Sequence, residues 1–102
     1  MKAEIFIDKD RIGKTDLNII DESMGVLRGQ VTALPDYEKY RSRVQQETDS
    51  KGGANVEIFP FRIVSGEGSV LQAQGGITLI DSPEFGEFFV EVAGIDLSGL
   101  HV

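Results

Sequence analysis

Residues 21–31 read DESMGVLRGQV, and the roles of Gly25 and Gly29 within this stretch decide the fold. Glycine weakens a strand interior unless a bend or a close approach requires it. Read as a strand from Gly25 to Ala33, the segment places Gly25, Leu27, Gly29, Val31 and Ala33 on one face, because side chains alternate with period two. Val26, Arg28, Gln30 and Thr32 then occupy the other face. The first face is apolar but almost flat. Such a strip admits another element close to the backbone, and glycine also lets a sheet curl.

The segment that follows supplies a candidate for that element. Pro35 ends the strand, and Asp36 is placed to cap a helix over residues 37–51, YEKYRSRVQQETDSK. Tyr37, Tyr40 and Val44 share one helical face and are read as core packing against the glycine strip. Arg43–Glu47 and Glu47–Lys51 are i,i+4 pairs on the outside, and Gly52 stops the helix. Upstream, residues 2–8 alternate as a strand, with Ala3, Ile5 and Ile7 on its apolar side. Lys9–Asp16 is read as a polar connection turning at Gly13, and residues 16–21 as a short second strand. Downstream, 55–64 is read as the most buried strand, with Pro60 marking a bulge or an end. Ser65–Gly68 forms a hairpin turn, 69–81 returns with a bend at Gly75-Gly76, and 86–95 is the last long strand. The order is βββαβββ with short connections, which make neighbours antiparallel. The expectation is one α+β domain over residues 1–102: a curled antiparallel sheet, or partly closed barrel, of about six strands with one helix packed on it.

Composition removes several kinds of chemistry. The 102 residues include no cysteine, so disulfides, thiolate metal sites and cysteine nucleophiles are absent, as suits a reducing cytoplasm. The single histidine, His101, sits next to the end of the sequence and is a poor base or ligand. Asp8–Gly13 begins like a calcium loop, but Ile12 and Ile19 fall where ligands are needed. Gly66-Glu67-Gly68 and Lys51-Gly52-Gly53 lack the order of a phosphate-binding loop. No catalytic residue, cofactor or metal is therefore expected.

The net charge is −7, and it is uneven. Beyond residue 51, Arg62 alone faces Glu57, Glu67, Asp81, Glu84, Glu87, Glu91 and Asp96. Nucleic acid and anionic membrane surfaces, which select clustered lysine and arginine, are disfavoured as partners.

The pattern Asp21-x-x-Met24-Gly25-Val26-x-x-Gly29, followed by Pro35-x-Tyr37 and Tyr40, resembles one found in small uncharacterised bacterial α+β proteins. The resemblance covers about 20 residues, carries no activity, and implies a bacterial cytoplasmic origin. The reading that results is a non-enzymatic, cytoplasmic protein-binding domain, for example an acidic antagonist or immunity-type protein. Its basic partner would meet Glu57, Glu84, Glu87 and Glu91. Two alternatives stand beside it. One is a small-molecule pocket inside the curled sheet, lined by Phe59, Phe61, Phe88 and Phe89. The other is a homo-oligomeric module, such as a homodimer joined through a sheet edge like the final strand.

Overall fold

Strands outnumber the expectation. The computed structural model describes residues 1–98 and holds eight strands around one α-helix, in an α+β fold whose strand pairings are all antiparallel. In chain order these are β1 (Lys2–Ile7), β2 (Asp10–Asp16), β3 (Asn18–Asp21), β4 (Val26–Ala33), a 3-10 segment (Pro35–Lys39), α1 (Arg41–Lys51), β5 (Ala54–Asn55), β6 (Phe61–Ser65), β7 (Gly76–Ser82), a 3-10 turn (Pro83–Phe85) and β8 (Glu87–Ala93). The sheet runs β5-β7-β8-β4-β2-β1-β6 and curls into a half-barrel, with β3 also pairing to β4.

The stretch expected to be a polar connection is β2. Its turn lies earlier, at Asp8-Lys9, where Asp8 takes a φ of 54°, a left-handed conformation that aspartate tolerates better than most residues. A bulge lets Ile5 face Gly13 and Phe6 face Arg11, and Ile12, the extra residue, points into the core. That irregularity hides the alternation of β2 from a simple period-two reading.

Gly29 does meet a close neighbour, but the neighbour is not the helix. One flank of β4 pairs with β2 at Val31–Ala33 and with β3 at Val26–Arg28, so the chain bends at Asp16–Asn18 directly beside Gly29. A Cβ at position 29 would lie 2.2 Å from Thr15 Oγ1 and 2.5 Å from the Asp16 carbonyl oxygen. Gly25 falls in the turn before β4, at φ 63°, and its missing side chain leaves room for the backbone of Ile95. There the Ile95 amide donates to the Gly25 carbonyl at 3.0 Å.

The helix packs instead on β7 and β5. It also starts late. Residues 35–39 form a 3-10 segment whose cap position is Leu34, so Asp36 lies in its first turn and caps no helix. Gly52, at φ 87°, ends α1 as expected. Tyr37 and Val44 are fully buried, as core packing requires. Glu47, expected outside, is only 7% exposed and holds both Arg43 and Lys51 at 3.1 and 3.7 Å.

The expected 55–64 strand divides in two. Residues 56–58 turn away, Val56 is half exposed, and Pro60 precedes β6, which pairs with β1. Of the 69–81 return, only Val70 bridges Val64 before β7 begins at Gly76. The final strand is not an edge: β8 lies between β7 and β4. That position overturns its expected use as a dimerising edge. His101 and the last residues of the tail lie outside the described residues.

Tyr40 fastens the start of α1 to the β1–β2 hairpin by donating a hydrogen bond to Asp10. That bond, and secondarily burial, push the Tyr40 phenol up to about 12. An unfolded tyrosine titrates near ~10. Stability drawn from the neutral phenol is therefore fully present below about 10 and is lost as pH rises toward about 12. Denaturation midpoints measured across this window should fall more steeply for the wild type than for Tyr40→Phe. Parallel curves would show that the bond does not stabilise the fold.

Candidate functional site

Alternation along β8 sends Phe88, Val90 and Val92 to the concave side and Glu87, Phe89 and Glu91 to the convex one. Register then builds the convex surface in rows. Thr78, Glu91 and Arg28 form one row across β7, β8 and β4, and Ile80, Phe89 and Gln30 form the next. Arg28 Nη2 lies 2.9 Å from Glu91 Oε2, and its guanidinium sits 4.6 Å over the Phe89 ring. Past Ser82 the 3-10 turn lifts Glu84 and Phe85 outward, and Phe85 is 71% exposed.

Two shallow depressions flank this ridge, and Glu87 and Phe89 border both. One, of about 430 Å³, extends over Asn18, Ile20 and Arg28 on β3 and β4. The other, of about 540 Å³, extends over Ile80, Glu84, Phe85 and the end of α1 at Thr48, Asp49 and Gly52. Among the described residues, no cation pairs with Glu84, Glu87 or Asp49. The convex surface of β1 and β2 differs. Its depression, about 700 Å³, is lined by Lys2, Arg11 and Lys14 together with Glu4 and Asp16, and Arg11 is held by Glu4 at 2.7 Å.

The four glutamates singled out from the sequence are thus only partly assembled. Glu84 and Glu87 lie together. Glu91 shares their face but is engaged by Arg28, about 13 Å further along the strand from Glu87. Glu57 lies in the turn after β5, toward the opposite end of β7, with its amide bonded to Asn55 Oδ1 at 2.9 Å. The phenylalanines do not share one cavity. Phe59 packs edge-on against Tyr40 and Phe61, Phe88 stacks on Tyr37 at 5.0 Å, and Phe89 is on the outer face. An aromatic lining would need them to converge; the alternation of β8 separates Phe88 from Phe89, and the break in the 55–64 segment keeps Phe59 and Phe61 among themselves. Sequence reasoning missed Phe85, Ile80 and Asp49. The available signal was an aromatic residue inside a Pro-containing turn, Pro83-Glu84-Phe85-Gly86.

One buried polar cluster lies on the concave side. Asp81 is 4% exposed, and it accepts hydrogen bonds from Tyr37 Oη at 2.7 Å and Gln45 Nε2 at 3.3 Å, with Arg41 Nη1 3.8 Å away. Its amide donates to Thr48 Oγ1 at 3.1 Å. Burial, then the Asp81 hydrogen bond, drive the Tyr37 phenol far above the ordinary tyrosine range, so it stays neutral. Tyr37 is fully covered, so the cluster presents no phenol to solvent and acts to tie α1 and the 3-10 segment to β7. No family model, curated protein or solved structure matches this chain, and no described helix is long and apolar enough to cross a membrane.

Proposed function

We propose that this chain is a non-enzymatic cytoplasmic protein-binding domain that holds a basic partner on the convex face of β7 and β8. The observation carrying this reading is the pairing of apolar side chains with uncompensated acids. Phe85, Phe89 and Ile80 lie beside Glu84, Glu87 and Asp49, in the depression that closes against the end of α1. Protein interfaces combine an aromatic-rich centre with a polar rim, and this patch has both. Residues 52–102 contain one lysine or arginine against seven acidic residues, so a negative field here would speed encounter with a positive surface. An antagonist of a basic toxin or nuclease is one role that such a face suits.

The test is retention on the immobilised chain. The wild type should hold basic proteins from the lysate of the cell that makes it. The combined Glu57→Gln, Glu84→Gln, Glu87→Gln and Glu91→Gln variant should lose them, with association slowed roughly 10-fold or more at low salt. Equal retention by the variant, or selection of acidic proteins, would overturn the proposal.

A further inference from the structure

Resting on that reading, we infer that the depression on the β7 side of Phe89 receives an arginine side chain of the partner. The chain already displays the chemistry once. Arg28 is stacked on Phe89 and ion-paired with Glu91, two residues further along β8. Glu87 is the counterpart of Glu91, two residues to the other side of Phe89 and on the same face. Arg28 stands across from Glu91 on β4, whereas the residue across from Glu87 on β7 is Ser82, which brings no charge. Glu87 thus flanks the aromatic ring as Glu91 does, without a guanidinium of its own.

The surroundings extend the likeness. Phe85 adds a second exposed ring, and Glu84 and Asp49 add carboxylates on the same rim. A guanidinium suits such a site better than an ammonium. It is planar, sheds water more readily, stacks on aromatic faces and can bridge carboxylate oxygens in pairs. The same preference recurs at Phe6 and Tyr37, where Arg62 and Arg41 lie 4.6 and 4.8 Å over the rings.

Amide NMR shifts of the full chain, titrated with blocked Gly-Arg-Gly and Gly-Lys-Gly tripeptides, test this directly. Gly-Arg-Gly should shift the amides of 80–82 and 84–89 and bind about threefold or more tightly than Gly-Lys-Gly. Glu87→Gln, an exposed change, should weaken the arginine peptide about threefold, and Glu67→Gln, an exposed change in the turn after β6, should leave it unaltered. Equal response to the two peptides, or no response in 80–89 to either, overturns the arginine assignment while the acidic-face proposal stands on its retention assay. Shifts confined to the convex face of β1 and β2 likewise overturn the arginine assignment alone.

Discussion

Gly29→Val should lower the melting temperature by roughly 12–24 °C, the equivalent of about 3 kcal/mol in a domain of this size. The first side-chain carbon would be placed 2.5 Å from the Asp16 carbonyl oxygen and 2.2 Å from Thr15 Oγ1. A flexible side chain can retreat, but the backbone carbonyl is part of the bend that joins β2 to β3, and it can move only if one of those strands gives up its pairing with β4. The backbone of β4 is extended at this position, so the cost is steric. The neighbouring exposed residue provides the control. Gln30→Val adds the same β-branched side chain to the convex face and should change stability by no more than about 0.5 kcal/mol. Thermal melts of the two variants that coincide would refute the account of the bend.

The second large effect centres on Tyr37. Truncation to alanine empties a fully buried aromatic position under Phe88 and should cost about 3–5 kcal/mol, a substantial share of the ~5–15 kcal/mol that holds a typical domain together. Tyr37→Phe separates the polar part from the packing part. It keeps the ring but removes the 2.7 Å donor to Asp81, leaving the buried carboxylate with Gln45 and the more distant Arg41. That change should cost about 1–3 kcal/mol, since a buried acceptor that loses its partner bears the desolvation penalty. Denaturant midpoints should shift accordingly with little change in slope. If Tyr37→Phe unfolds at the wild-type midpoint, the hydroxyl does not anchor the 3-10 segment to β7.

Both predictions show what was legible in the sequence. The α+β class, the antiparallel curl, the single helix, the Gly52 stop and the burial of Tyr37 and Val44 follow from period and punctuation, which local residues set. The partner of each face did not follow. Gly29 signalled a close approach correctly, but only the register of β2 and β3 along β4 shows that the approaching group is a bend in the sheet and not α1. Asp10–Asp16 looked polar because Arg11, Lys14 and Asp16 point outward and a bulge breaks the rhythm around Ile12. The split of 55–64 turned on Pro60 acting as an end. For the candidate face, the acidity of the second half and the outward side of Glu87, Phe89 and Glu91 were visible. The contribution of α1 at Asp49, and the engagement of Glu91 by a residue 63 positions away, depend on pairings that no local pattern encodes.

The placement of β8 has a consequence for how the molecule comes into being. Among the described residues β8 is the last strand in chain order, and it fills the slot between β7 and β4. Until residue 93 has cleared the ribosomal exit tunnel, the nascent polypeptide therefore carries two raw flanks that can only be satisfied later. Contacts this distant along the chain form slowly, and unpaired flanks are open to adhesion between growing chains. Slowed translation of the stretch that encodes β8 should therefore lower the yield of native protein.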